Sequence, residues 1–276
     1  MAMPETDREP ELHVALEHVL VCFGTREVLR DLSCGFRKSR ISVILGGSGS
    51  GKSTLLKVIA GLVRPRKGRV LVAGEDLVRL PERQLYEVRK RIGMMFQNGA
   101  LLDSMNVFDN LALPLREHRK LTPEEIATEV HERLEAVGLT NVDHLLPGQL
   151  SGGMVKRVAL ARAIIARPEI LLCDEPFSGL DPVSTKRIEA LLKTINRRYG
   201  MTTIVVSHHI PTTMRMAEHV LALLPDGQVE GTPEELRASR DPRVVNFLNE
   251  DAGDTPGLAD EVEVLPTAGT ATRRMG

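Results

Sequence analysis

The 276-residue chain lacks an imbalance of charge: 36 Lys and Arg stand against 37 Asp and Glu, for a formal net charge of -1. That removes the electrostatic footprint of a nucleic-acid binder and of a strongly basic membrane-surface protein. Cysteine is scarce as well. Cys22, Cys34 and Cys173 are an odd number without metal-ligand spacing, so neither a disulfide framework nor a zinc site is expected, and a reducing, cytoplasmic location fits. All three read as small, buried apolar residues. No run of about 18 apolar residues occurs, so no membrane span is expected. The stretch Met1 to Glu11 is acidic and proline-containing, without the apolar segment of a signal peptide. Internal repeats are also missing. The length suits one large α/β domain with a small appended lobe, or two modest domains.

What is present is a phosphate-binding loop. Gly46-Gly47-Ser48-Gly49-Ser50-Gly51-Lys52-Ser53 matches that motif at every specified position. Glycines and serines let successive backbone N–H groups turn inward as an anion nest, and a helix beginning near Lys52 adds its partial positive charge. Lys52 would reach the β- and γ-phosphates of a nucleotide and Ser53 would ligate Mg²⁺. Ile41 to Leu45 reads as a buried parallel strand and Thr54 to Leu62 as the following helix. A flexible glycine-serine linker would not sit between two such elements.

Upstream, Leu12, Val14 and Leu16 alternate with His13, Ala15 and Glu17, the period of a half-buried strand, and Val28 to Phe36 looks similar. An antiparallel hairpin is therefore expected before the loop, with Phe23-Gly24 at its turn. Phe23 could stack on an adenine face or serve as core. Downstream, Arg69 to Val72 reads as a strand, Pro81 to Arg91 as a charged helix with its basic end suited to the helix dipole, and Ile92 to Phe96 as a strand ending at Gln97. Asn98 to Leu115 is apolar without a strand or helix period, interrupted by Gly99, Asp103, Asn106, Asn110 and Pro114, and is a candidate docking surface. Thr122-Pro123-Glu124-Glu125 is a capping box opening a helix with Ile126, Val130, Leu134 and Val137 on one face.

Leu150-Ser151-Gly152-Gly153-Met154 opens a helix over Val155 to Ala166 and leaves backbone N–H groups free for a second anion. Ile170 to Glu175 is an apolar strand ending in two carboxylates, costly to bury without a cation. Strand alternation sends Asp174 and Glu175 to opposite sides, one toward Mg²⁺ and the other toward a water. Ser178 to Pro182 turns into a helix with Ile188, Leu191, Leu192 and Ile195 on one face. Thr202 to Val206 then leads to Ser207-His208-His209, where His208 lies at the edge on which open α/β sheets bind ligands and His209 points elsewhere. His219 to Leu224 and Gln228 to Gly231 finish the sheet, and Thr232-Pro233-Glu234-Glu235 caps a short helix. The stretch Asp251 to Gly276 is expected to be poorly ordered in isolation.

Taken together, the phosphate loop, Gln97, Leu150 to Met154, Ile170 to Glu175, Ser178 to Asp181 and His208 resemble an ABC-type ATPase subunit over about Leu12 to Leu248. The resemblance implies a P-loop NTPase core of the ABC ATPase fold, α/β with a mixed sheet, an antiparallel β subdomain and a helical signature-motif subdomain at about 98–166. The domain would run over 12–249, between a flexible N-terminus at 1–11 and a tail at 250–276. It implies ATP and Mg²⁺ as cofactors, with phosphates held by Gly46, Gly47, Ser48, Gly49, Ser50, Gly51, Lys52, Ser53 and Thr54. Ser53, Gln97 and, through water, Asp174 would meet the metal. Glu175 would polarise the attacking water, His208 would contact the γ-phosphate, and Asp181 would communicate between sites. In that family Ser151, Gly152 and Gly153 complete the site of another copy, so a head-to-tail homodimer is implied.

Residues Gln97 to Asn110, Pro114 to His118, Met154, Asp241-Pro242-Arg243 and Phe247-Leu248 resemble the ATPases of Mla-type phospholipid transporters of Gram-negative envelopes. That implies a permease in the inner membrane, a periplasmic MCE-domain lipid-binding protein, often a small cytoplasmic STAS-domain protein, and a subunit peripheral to the inner membrane on its cytoplasmic face. The segment after Gln97 would receive a permease coupling helix. Gly47, Phe23 and His209 depart from the family's frequent proline, tyrosine and acid, and none removes a catalytic group. An importer of another solute, such as an amino acid, is the alternative within transporters. A soluble ABC ATPase of DNA repair or ribosomes is disfavoured by the absence of a coiled coil or second ATPase unit, and an inactive scaffold by intact Glu175, Gln97 and His208.

Overall fold

The computed structural model describes residues 11–250. The expectations for the two termini therefore lie almost wholly outside the described residues. Two sheets organise the chain. β1 (Leu12–Phe23) and β2 (Arg26–Arg37) form the expected antiparallel hairpin, which closes at the Phe23–Arg26 pair; β4 (Lys67–Val72) and β5 (Glu75–Asp76) complete a four-stranded sheet of order β2-β1-β4-β5. The second sheet has six strands. β3 (Ile41–Gly46), β6 (Ile92–Met95), β7 (Ile170–Asp174), β8 (Thr202–Val206), β9 (His219–Leu224) and β10 (Gly227–Gly231) lie in the order β10-β9-β3-β8-β7-β6, parallel except for β10.

β3, β7 and β8 are buried along their whole length, which is why they read as continuous apolar runs. Their alternating side chains feed two cores. Ile44, Leu172, Ile204 and Val206 pack with the antiparallel sheet and with α1 (Lys52–Ile59), while Val43, Leu45, Cys173 and Val205 pack against the helices of the other face. β1 departs from its expected alternation. Leu12 is exposed and His13 is buried, its Nδ1 lying 2.6 Å from Thr202 Oγ1, and register shifts between Leu16 and Val19 change which residues face the core. His18 sits there at φ 51, a local irregularity that sequence periodicity does not reveal.

The helices follow their caps more closely than their periods. α2 spans Glu82–Lys90; α4 (Pro123–Ala136) and α8 (Pro233–Ala238) open on the expected reciprocal capping boxes of Thr122 with Glu125 and Thr232 with Glu235. Two expected boundaries shift. α1 starts at Lys52 and stops at Ile59 rather than reaching Leu62, because Gly61 adopts φ 66 beyond its end. α5 is Gly152–Ile164 rather than Val155 to Ala166, because Ser151 Oγ already caps it by accepting from Met154 N.

The segment expected to be aperiodic, Asn98 to Leu115, is the larger correction. It holds α3 (Val107–His118), capped by Asn106, with Val107, Leu111, Ala112 and Leu115 fully buried. Those apolar residues face the core against α4 and α5, whereas Leu102 in the preceding loop is exposed. Asn110, read as an interruption, is buried and fastens the preceding loop: its amide donates to the carbonyls of Leu102, Met105 and Asn106 and accepts from Leu102 N. The remaining helices are α6 (Pro182–Tyr199), α7 (Ile210–Met216) and α9 (Pro242–Glu250). Among the described residues no helix is long and apolar enough to cross a membrane.

Candidate nucleotide site

Sheet register assembles the site. Ile44 of β3 and Asp174 of β7 both pair with Val206 of β8, so the phosphate loop, the acidic pair and Ser207-His208 leave the sheet at neighbouring carboxyl ends. Two interstrand bonds hold these exits together: Glu175 N donates to Val206 O at 3.0 Å and Ser207 N to Ile44 O at 3.1 Å.

The loop leaves a side chain little room at Gly46 and Gly51. Gly49 and Gly51 have φ 78 and 95, and a Cβ on Gly51 would meet Leu29 Cδ2 at 2.8 Å and Val28 O at 3.1 Å. Gly51 also caps α1 without a side chain, leaving the helix's first N–H groups to a ligand. Ser50 Oγ is buried with no hydrogen-bond partner among the described residues. Lys52 is buried, and its Nζ donates to Gly46 O and Gly47 O, both at 2.8 Å. Burial pushes its pKa below the ordinary lysine value, opposed by the charges of Glu175 and Asp174. An anion nest, an orphaned hydroxyl and a cation folded over them fit a polyphosphate.

Ser53 donates from Oγ to Asp174 Oδ1 at 2.9 Å. A hydroxyl and a carboxylate side by side form an all-oxygen donor set, which suits Mg²⁺ completed by phosphates better than a dedicated protein cage. No cluster of three or more His, Cys, Asp or Glu side chains able to hold a metal occurs among the described residues. Gln97, the third expected metal contact, is exposed two residues past β6.

Asp174 ends β7, but Glu175 is not the next strand residue that alternation implied. It adopts φ 47, which turns the chain off the sheet and lets its buried carboxylate meet His208: Oε2 lies 2.8 Å from His208 Nδ1. His209 is turned aside, its Nδ1 accepting from Thr212 N at the start of α7.

A cavity of about 310 Å³ runs from Gly49, Gly51, Lys52, Ser53 and Thr54 to Phe23, Arg26 and Val28. Phe23 therefore stands at the far end of the phosphate cradle, 53% exposed rather than packed in the core. A larger cleft of about 840 Å³ borders the other side of the loop at Gly47 to Ser50 and is walled by the hairpin, the β9–β10 turn and Phe247. Ser151, Gly152 and Gly153 line neither. They sit at the start of α5, where Gly153 approaches Ser184 of α6, and Asp181 caps α6 by accepting from Val183 N and Ser184 N.

Two participants were not singled out from the sequence. Arg26 lines both cavities with a guanidinium that makes no hydrogen bond or ion pair among the described residues; its signal was its place opposite Phe23 across the hairpin. Lys156 is buried on α5 at core spacing with Ala159, Leu160 and Ala163, and a lysine at such a position is itself a signal.

A P-loop at the carboxyl end of a parallel strand, a hydroxyl–carboxylate pair and a carboxylate–imidazole pair define a nucleoside-triphosphate hydrolase. The family described as ABC transporter matches residues 29–178. The Haemophilus influenzae intermembrane phospholipid transport system ATP-binding protein MlaF is 46% identical over 227 residues, 82% of this chain and 86% of that protein. The Escherichia coli K12 protein of the same name is 42% identical over 239 residues, 86% of each. A probable ribonucleotide transport ATP-binding protein of Mycobacterium leprae is 38% identical over 92% of this chain and 80% of its own length. Among solved structures, a dimer of the cassette MJ0796 in a post-hydrolysis state bound to ADP and Pi superposes with a TM-score of 0.74 at 30% identity, covering 80% of this chain and 98% of that one. The chain belongs to the ABC transporter family as an ATPase subunit.

Proposed function

We propose that this chain is the ATP-hydrolysing subunit that drives phospholipid transport between the inner and outer membranes of a Gram-negative envelope. The observation that carries the chemistry is the convergence of Lys52, the Ser53–Asp174 contact at 2.9 Å and the Glu175–His208 contact at 2.8 Å on one sheet edge. The cargo is supported by the two phospholipid-transport relatives, which match nearly the whole described chain.

In this reading the amides of Gly46 to Thr54 and the Lys52 ammonium hold the phosphates, and Phe23 stacks on the adenine. Ser53, Gln97 and Asp174 hold Mg²⁺, which supplies neutralisation of the charge developing on the transferred phosphoryl group. Glu175 orients the attacking water and accepts its proton, and His208 releases that carboxylate to contact the γ-phosphate. Ser151, Gly152 and Gly153, which line neither cavity at this chain's own loop, complete the site of a second copy, and Asp181 lies beside them through Ser184. The functional unit is then a two-fold homodimer with two equivalent interfaces, a reading supported by the dimeric cassette neighbour. Its closure around nucleotide, and reopening on hydrolysis, moves the helical subdomain at about 98–166 against permease subunits at the cytoplasmic face of the inner membrane. A periplasmic MCE-domain lipid-binding protein, and a small STAS-domain protein on the cytoplasmic side, complete the assembly.

The test is the set of proteins that co-purifies with the full chain from detergent-solubilised membranes. A permease with an MCE-domain protein supports lipid transport; a soluble-type periplasmic binding protein refutes it. The second outcome would favour the solute reading, for which the ribonucleotide-transport relative is the observation.

A further inference from the structure

Lys156 lies on α5 one turn past Ser151, and its ammonium is buried without an ion-pair partner among the described residues. It donates instead to three neutral oxygens from two other segments: the Gln97 carbonyl, the Glu175 carbonyl at 3.3 Å and Ser178 Oγ at 3.2 Å. Ser178 Oγ in turn donates to the same Glu175 carbonyl at 3.0 Å. A buried cation is costly to desolvate, and a methionine of similar length would fill this space without that cost. Packing therefore does not account for the charge.

The choice of acceptors does. The Glu175 carbonyl belongs to a residue at φ 47, a strained conformation for a side chain with a Cβ, and holding that carbonyl helps fix the backbone from which its carboxylate reaches His208. The Gln97 carbonyl belongs to the turn after β6, which α5 grips a second time through Arg162, whose guanidinium donates to Gly99 O and Ala100 O at 2.9 and 2.8 Å. One ammonium thus fixes the backbone of both segments relative to the helix that begins at Ser151.

We infer that Lys156 is a positioning residue for hydrolysis, which holds Gln97 and Glu175 in register with each other and with α5 by binding both carbonyls. The inference rests on the proposed roles of Glu175 and Gln97. Lys156 touches neither cavity that borders the loop, so it acts on the chemical step rather than on nucleotide affinity.

The experiment is steady-state ATP turnover by the full-length chain in its membrane complex, with thermal melts, for Lys156→Met, Lys156→Arg and Glu175→Gln. Lys156→Met is expected to lower kcat at least about tenfold while KM for ATP stays within about threefold. Lys156→Arg, which keeps a charged donor, is expected to recover a substantial part of kcat. Turnover by Lys156→Met at the wild-type rate would overturn the inference. So would equal losses in the methionine and arginine variants accompanied by lower melting temperatures, since that pattern describes packing. Glu175→Gln separates the two layers: if it retains turnover, the assignment of Glu175 fails, whereas its loss beside an unaffected Lys156→Met fails the positioning role alone.

Discussion

His208 Nδ1 and Glu175 Oε2 lie 2.8 Å apart, joining an exposed imidazole at the end of β8 to a buried carboxylate just past the end of β7. The pair aims a carboxylate from a left-handed backbone turn, so its orientation depends on the partner as well as on the chain. Glu175→Gln should keep the shape and remove the proton acceptor. Turnover is expected to fall at least about a hundredfold while ATP affinity changes less than about threefold, and the ATP-dependent dimer should persist in light-scattering measurements. His208→Ala should lower turnover with the same small effect on affinity. Monomers with normal turnover would sink the assignment.

Phe23 stands across the smaller cavity from the phosphate cradle. Stacking of a base on an aromatic ring contributes about 1–3 kcal/mol, so Phe23→Ala should weaken ATP binding by about 5- to 150-fold, and Phe23→Trp should restore it. Calorimetric titration measures both. An alanine variant with wild-type affinity would remove Phe23 from the adenine site.

Gly51→Ala tests the cradle. The added Cβ would meet Leu29 Cδ2 at 2.8 Å and Val28 O at 3.1 Å, from a backbone at φ 95. The hairpin strand β2 would have to retreat or the loop to turn. Expected outcomes are a stability loss of about 1–3 kcal/mol in denaturant titration and a loss of ATP binding larger than that of Phe23→Ala.

His13 predicts a pH effect on stability. Burial holds its pKa below the ordinary value of 6.5; Glu169 opposes the shift and Lys38 reinforces it. The unfolded chain therefore takes up this proton at higher pH than the folded one. Stability is complete above about pH 6.5 and is lost as pH falls below it toward the folded pKa. The melting temperature should drop between about pH 7.5 and 5.5, with a smaller drop for His13→Gln, which retains a polar group for Thr202. His219, also held low by burial, contributes the same sign in both proteins, so the difference isolates His13. Equal slopes would contradict this account.

Much of the fold was readable because its signals are local. The capping boxes at Thr122 and Thr232 and the apolar runs of β3, β7 and β8 each state their element without reference to distant residues. α3 is harder to read: Val107, Leu111 and Leu115 recur at the helical interval, but Asn110 and Pro114 are residues that ordinarily interrupt a helix. Asn110 instead spends its side chain on the loop before the helix, a use visible only once that loop is folded against it. The same distinction divides the site. Lys52, Ser53, Asp174 and Glu175 carry their chemistry in motifs, whereas Arg26 and Lys156 acquire meaning from segments that meet them across the fold.

Two of the three Lys52 ammonium donors already engage Gly46 O and Gly47 O. On the proposed role of Lys52, loading a nucleotide would exchange two carbonyl oxygens for phosphate oxygens. A nucleoside monophosphate, which ends before the β-phosphate, would then offer the ammonium nothing to exchange for. On that reading the loop would favour long phosphate chains by what short ones fail to replace.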